Sequence, residues 1–456
     1  MSATRLFARH ALLPGGWARD VLVVVDGAGQ IEHVAADSPG DGVEALAGPV
    51  VPAMPNLHSH AFQRALAGRT GRASANRDDS FWTWRQAMYA FLDRIDPDAF
   101  EAIAAQAYVE MAKAGYATVA EFHYVHHDVA GKPYADPAEL AWRVCAAAET
   151  AGLGLTLLPV FYAHGGFGGA PTVASQRRFV HSPQSFSRLL ERLVGAAAAR
   201  RYAVGVAPHS LRAVTAEELG QIVRMAPAGA PLHIHAAEQT REVDECFAWS
   251  RMRPIEWLLT QANVDERWCI VHATHMTERE VAGLAKSGAV AGLAPTTEAD
   301  LGDGTFAADA FLAAGGRIGI GSDSNTVIDP FAELRQLEWS QRMRHRRRNV
   351  LATSPEMPVG AALWAQCARD GARATGRSAG AIAAGMRADL VVLDTADPAL
   401  AEQRPDDVLD AAIFGPARRP VRDVMSGGAW IVRDGRHPGE DAVLARYRGA
   451  LRALAH

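Results

Sequence analysis

The sequence predicts an α/β fold: a TIM-like (β/α)8 barrel over residues 50–380, with a small β-sandwich domain built from residues 1–49 and 381–456. Three observations predict it. Eight continuous apolar runs, at 50–57, 117–123, 153–161, 203–207, 231–235, 268–272, 289–294 and 317–321, alternate with longer helical stretches. Apolar strands separated by helices indicate a parallel sheet covered on both faces. Eight such units suggest closure into a barrel, with an open doubly wound sheet as the alternative. Several runs also stop at histidines or acids, where barrel enzymes carry their chemistry. Both chain ends, by contrast, read as short strands and turns.

The N-terminal stretch 20–26 is rich in valine, turns at Gly27-Ala28-Gly29 and resumes at 31–35, a hairpin pattern. The same texture returns at 388–394, 421–425 and 429–432, before Asp434-Gly435. With 456 residues, 49% of them hydrophobic, the chain has ample material for a large core. A net charge of −5 lacks the basic excess of a nucleic-acid-binding protein. The basic run 342–348 reads as a solvated or interface helix face, or else as a contact for an anionic partner. Cys145, Cys246, Cys269 and Cys367 form no Cys-x-x-Cys pair, which argues against a disulfide framework and fits a reducing compartment. The apolar run 21–25 is short and flanked by Asp20 and Asp26, unlike a signal peptide. No apolar stretch approaches the ~18 residues of a membrane span. The expectation is a soluble cytoplasmic protein with no nucleic-acid or membrane partner.

The first run ends Met54-Pro55-Asn56-Leu57-His58-Ser59-His60. Strand alternation puts His58 and His60 on one face, a good pair for zinc. The fifth run gives Leu232-His233-Ile234-His235-Ala236-Ala237-Glu238, in which His235 offers a third imidazole. His233 shares that face one step deeper and reads as a core histidine or one supporting a ligand. The eighth run ends Gly321-Ser322-Asp323. In a closed barrel the eighth strand adjoins the first, so Asp323 can complete a His3Asp set or sit at its edge, with one position open to water. Any one of these could be a satisfied polar group at a strand end; four together argue for a metal centre. Zinc is the expected ion, although such ligands also suit iron or manganese.

These residues resemble the amidohydrolase superfamily, as do His272 within Val271-His272-Ala273-Thr274-His275 and the segment 385–394, which looks like that superfamily's return into its small β domain. The resemblance covers nearly the whole chain. Binuclear members carry a bridging carboxylated lysine or an acid on the fourth strand. The run 203–207 has neither, which implies a single metal ion. The motifs Asn56-Leu57-His58-Ser59-His60-Ala61-Phe62-Gln63-Arg64, Phe81-Trp82-Thr83-Trp84-Arg85, Glu121-Phe122-His123-Tyr124 and Ala207-Pro208-His209-Ser210-Leu211-Arg212 are similar to the branch that deiminates linear formimidoyl amino acids.

That resemblance implies roles. Asp323 takes a proton from the attacking water, and Glu238 shuttles a proton to the departing nitrogen. His272 stabilises charge on the attacking oxygen, with a fourth metal ligand as the lesser alternative, and His275 stays outside the metal shell. A small substrate with two carboxylates implies Arg212, which can bind a carboxylate bidentately, helped by His209, Tyr124 and Gln63. Arg85 is a further contact, on a loop that could fold elsewhere or across a subunit interface. Trp82 and Trp84 read as a lid or as core. The superfamily commonly forms homodimers. Competing expectations are a deaminase of a purine-like aromatic base, an amide ring opener, and a scaffold without activity.

Overall fold

The structure is a computed structural model that describes residues 3–455, apart from 72, 74–78 and 353. The barrel strands, in order, are Met54–Ser59, Tyr116–His123, Gly154–Phe161, the short pair Ala203–Val204 and Ala207–Pro208, Leu232–Ala236, Trp268–His272, Val290–Leu293 and Arg317–Ile320. The first four positions form one parallel sheet and the last four another. Parallel bridges Val206↔Leu232 and Ser210↔His235 join the two sheets on one side, and Ser59↔Asp323 joins them on the other. The sheet is therefore a closed ring. Strands one, two, three, five, six and seven are buried along their whole length, which is why each reads as an unbroken apolar run.

The seam between strands one and eight is polar. Asn56 Nδ2 donates to Ser322 Oγ at 2.6 Å, and Ser322 Oγ donates to Asn325 Oδ1 at 2.6 Å. Asn325 Nδ2 lies 3.0 Å from the carbonyl oxygens of both His60 and Asp323. One carboxamide thus ties together two segments that carry candidate ligands. Satisfying these buried groups fixes the register where the ring closes.

Three expectations are corrected. The run 50–57 is two strands: Val50–Pro52 pairs with Leu390–Leu393 outside the barrel, and Met54–Ser59 begins the barrel. The change occurs at Ala53, whose N–H donates to Asp389 O while that of Met54 donates to Gly115 O. The chain ends also hold more than strands and turns, because Pro405–Phe414 and Glu440–Ala455 are helices. The second buries Val443, Tyr447 and Leu454, and Lys113 pairs with Glu440 at 2.6 Å to hold its start. Finally, a strand at Thr4–Leu13 precedes the expected hairpin and pairs antiparallel with Gly16–Val25.

The strands from both ends join in one connected eight-stranded sheet. Leu6, Val21, Val23, Val50, Leu390 and Met425 form an apolar cluster of their own within it. The basic run 342–348 caps the C-terminal end of the helix Pro330–His345, where cations offset the helix dipole. All four cysteines are free and buried. Among the described residues no helix is long and apolar enough to cross a membrane.

Candidate active site

The strand ends bring the expected ligands together. His58 Nε2 lies 3.2 Å from His60 Nε2 and 3.1 Å from His235 Nε2. Asp323 Oδ1 lies 3.2 Å from His60 Nε2 and 3.5 Å from His58 Nε2. The second nitrogens of two rings fix their tautomers. His60 Nδ1 faces Phe122 O at 3.1 Å and His235 Nδ1 faces His209 O at 3.0 Å. A carbonyl only accepts, so both Nδ1 atoms carry the proton and both Nε2 atoms present lone pairs. Lone pairs crowded against one another, beside a carboxylate and out of water, fit a divalent cation and fit hydrogen bonding poorly. Burial, the largest influence, pushes His58 down to about 3 and lowers His60 and His235, so all three rings are neutral, as metal ligands must be.

The backbone at these strand ends is strained. Asp323 (φ 40°), Asn325 (φ 56°), Ala237 (φ 55°), His272 (φ 68°) and Ala273 (φ 49°) all lie in the left-handed region that non-glycine residues avoid. Such strain concentrates where side chains must be aimed. Behind the His58-Ser59-His60 turn, the buried Glu121 accepts the Ala61 N–H at 2.7 Å.

A group of acids and one imidazole lies beside the histidines. His272 Nε2 is 3.5 Å from Glu238 Oε1 and 3.8 Å from Asp323 Oδ2, and its Nδ1 is 3.4 Å from Glu298 Oε1. Burial works against charge on His272, but Glu238, Glu298 and Asp323 outweigh it and raise the imidazole to about 10. For Asp323 the balance runs the other way: burial would raise it, yet His58, His60 and His272 hold it well below the carboxylate range. Glu238 is pushed up to about 7 by burial, against the pull of His272 and Arg212. A carboxyl that holds or releases a proton near neutrality is suited to proton transfer. Glu238, His272 and Asp303 also place ligand-type atoms within 4.8 Å of one another.

A cleft opens above these groups. Gln63, Arg85, Tyr124, His209 and Arg212 all line it, together with His60, His235, Glu238, His272 and Asp323. Gln63 Nε2 donates to the Tyr124 hydroxyl at 3.0 Å. Arg212 is buried, with Nη2 3.8 Å from Glu238 Oε2 and Nη1 without a hydrogen-bond partner among the described residues. Arg85 is carried by a helix, Phe81–Leu92, rather than by a loop, and reaches the cleft of its own chain. Trp84 lines that cleft, while Trp82 stacks beneath Arg85 at 4.6 Å and Arg241 at 4.4 Å. The buried Arg178 locks the helix in place by donating to the carbonyls of Leu92, Ile95 and His127.

Two histidines lie elsewhere. His233 Nε2 bonds Ala374 O at 2.7 Å, deep in the barrel, and His275 Nε2 bonds Asp303 O at 2.8 Å. Sequence reasoning overlooked Glu242, Glu298, Asp303 and Tyr162. Glu242 accepts the backbone N–H groups of Ala237 and Glu238, which shapes the loop carrying Glu238. Glu298 stands just past the seventh apolar run, so the strand-end rule applied there would have found it.

The sequence model of the Amidohydrolase family matches residues 50–431. A formimidoylglutamate deiminase of Pseudomonas aeruginosa is 51% identical over 436 residues, covering 96% of each chain. A 5-methylthioadenosine/S-adenosylhomocysteine deaminase of Natronomonas pharaonis is 27% identical over 441 residues, covering 95% of this chain and 93% of that one. Among solved structures, an amidohydrolase from Brucella melitensis superposes with a TM-score of 0.94 at 47% identity, covering 99% of this chain and 100% of its own. An adenosine deaminase from Xanthomonas campestris with bound zinc shares the fold, with a TM-score of 0.80 at 20% identity, covering 99% and 98% of the two chains. With its barrel, its strand-end histidines and these relatives, the chain belongs to the amidohydrolase family.

Proposed function

We propose that this chain is a zinc-dependent deiminase that hydrolyses N-formimidoyl-L-glutamate to N-formyl-L-glutamate and ammonia, a step of histidine degradation. The observation that carries the reading is the buried Arg212 guanidinium, unpartnered at Nη1 among the described residues and beside Glu238 in the same cleft as the convergent imidazoles. A buried cation with a free donor calls for an anionic ligand. The 51% identical relative, named for the same activity, supports the choice.

His58, His60, His235 and Asp323 would hold one divalent ion. Bound there, such an ion contributes Lewis acidity that makes an attacking water far more acidic than bulk water. The rest falls to the chain's own residues. Asp323, ionised and beside the imidazoles, accepts a proton from that water. The water oxygen bonds to the amidine carbon, and the C=N π electrons move onto nitrogen. His272, charged by its acid neighbours, donates a hydrogen bond to the oxygen as negative charge develops. Glu238 delivers its proton to the terminal nitrogen and is reprotonated by the new hydroxyl. Asp323 returns the proton it took from the water to the same nitrogen, so the C–N bond breaks with ammonia as the leaving group, and the oxygen's electron pair closes the C=O bond. Arg212 and Arg85 bind the substrate carboxylates, and Gln63, Tyr124 and His209 add hydrogen bonds.

The same proposal places the enzyme in the cytoplasm as a homodimer. The competing reading is a purine-type deaminase, which the aromatic rings of Trp84, Tyr124 and Phe179 would suit by stacking. An ammonia-release screen of the zinc-loaded protein decides between them. Turnover of formimidoylglutamate and not of guanine or adenosine derivatives supports the proposal, and the reverse pattern overturns it.

A further inference from the structure

One polar group of the cleft has no part in the chemistry above. Tyr162 follows the third barrel strand and lines the cleft, its ring 4.8 Å from that of His209 and 5.6 Å from that of Phe179. Its hydroxyl lies 2.6 Å from Gln176 Nε2. The direction of that bond is fixed by a third group. Gln176 Oε1 lies 2.9 Å from the backbone nitrogen of Val173, and a backbone N–H can only donate. The carboxamide therefore cannot be flipped, so Nε2 donates and the Tyr162 oxygen accepts. Gln176 is itself buried, which keeps water from competing for the bond.

The phenol proton must then point away from Gln176. Burial, the largest influence, keeps that proton on by raising the phenol well above its ordinary range. Arg212 and Arg85 act on the same phenol electrostatically, and Tyr89 is its other hydrogen-bonding neighbour. The neutral Tyr89 oxygen is a weaker acceptor than a carboxylate, because charge-assisted hydrogen bonds are roughly twice as strong as neutral ones. We propose that Tyr162 is a substrate-binding residue: its hydroxyl, oriented by Gln176, donates to a substrate carboxylate attracted by the guanidiniums of Arg85 and Arg212. The identity of the substrate rests on the deiminase reading; the direction of the donor does not. A site end lined by two guanidiniums and an aimed hydroxyl accepts only groups rich in lone pairs, so it selects a carboxylate over an amino group.

Tyr162→Phe removes the hydroxyl and keeps the ring against His209 and Phe179. The probe is glutarate, a dicarboxylate without an amidine, measured by calorimetry and as a competitive inhibitor. The expected result is glutarate binding weakened about 10-fold or more, the scale of one hydrogen bond to a charged group. KM for formimidoylglutamate should rise about as much, with kcat within roughly 3-fold, since the contact is made equally in ground and transition states. Gln176→Glu tests the orientation. At alkaline pH the introduced carboxylate accepts the phenol proton and turns it from the cleft, so this variant should match Tyr162→Phe. Equal glutarate affinity in wild type and Tyr162→Phe, or no glutarate binding by the wild type, overturns the proposal. A Gln176→Glu protein that binds glutarate like wild type also overturns it. Absence of ammonia release from formimidoylglutamate by the wild type overturns the deiminase reading instead, and the glutarate comparison still decides the role of Tyr162.

Discussion

His58, His60 and His235 form one buried group of imidazoles, and His123, His126, His127 and His181 form another, at and beyond the end of the second barrel strand. Both groups are nearly out of water, and their rings lie at similar spacings: 4.7 and 4.9 Å for His58 with its two partners, 4.6 and 4.9 Å for His181 with His126 and His127. They differ in where the nitrogens point. In the first group the Nε2 atoms face one another with Asp323 alongside. In the second, His126 Nε2 is tied to Val160 O, His127 Nε2 to Val180 O and His181 Nδ1 to Ser185 Oγ, while His123 has no hydrogen-bond partner at either nitrogen among the described residues. Only the first group directs its lone pairs at a shared point. Histidine density alone therefore does not mark a metal centre: what matters is which nitrogen is committed to the backbone, and whether an acid stands where the free ones meet.

Substitutions in the two groups should therefore have very different consequences. His235→Ala should lose the bound ion and reduce turnover by about three orders of magnitude or more, since a metal's contribution runs to several kcal/mol and each 1.4 kcal/mol is tenfold. Metal analysis and an ammonia assay check this, and the same two measurements on His126→Gln should find the ion retained. Loss of the ion from both variants would show that the two groups do not differ in this way. Glu238→Gln keeps the metal group intact but removes the proton donor, so kcat should fall by about 10²–10⁴ with the ion still present. Arg212→Met should act mainly on KM, raising it about 10-fold or more for a dicarboxylate substrate while metal content stays unchanged.

The smallest effect belongs to the second group and is one of stability. Burial pushes His123 down to about 3 in the folded protein, against about 6.5 when unfolded. Between those values the unfolded chain binds a proton that the native chain refuses. The stability due to the neutral ring is thus complete above about pH 6.5 and is lost as pH falls toward 3. Moving from pH 7 to pH 5 should cost about 2 kcal/mol through this one residue. His123→Phe should flatten the pH dependence of unfolding by that amount in denaturant titrations; an unchanged slope would show that His123 does not contribute to it.

The barrel was legible because its strands are buried on both faces, and the convergence of His58, His60, His235 and Asp323 because the first two alternate at the end of one strand while the others follow or end two more. What stayed hidden depends on contacts that periodicity does not encode. The run 50–57 is apolar throughout, and only its pairing partners reveal that it serves two sheets. The helix under Arg85 is set over the cleft by Arg178, which is distant in sequence. Tyr162 lies one residue past its strand, and its role depends on Gln176 and Val173 in the following loop. Asp303 reaches the site from beyond a helix, and Gln239 donates to it from the loop after strand five.

Whether His58, His60, His235 and Asp323 hold the ion can be seen in a crystal of the zinc-loaded protein, with anomalous scattering recorded at the zinc edge. One strong peak is expected about 2.0–2.2 Å from Nε2 of His58, His60 and His235 and from a carboxylate oxygen of Asp323. A peak centred instead among Glu238, His272 and Asp303, or no peak at the three histidines, would contradict it.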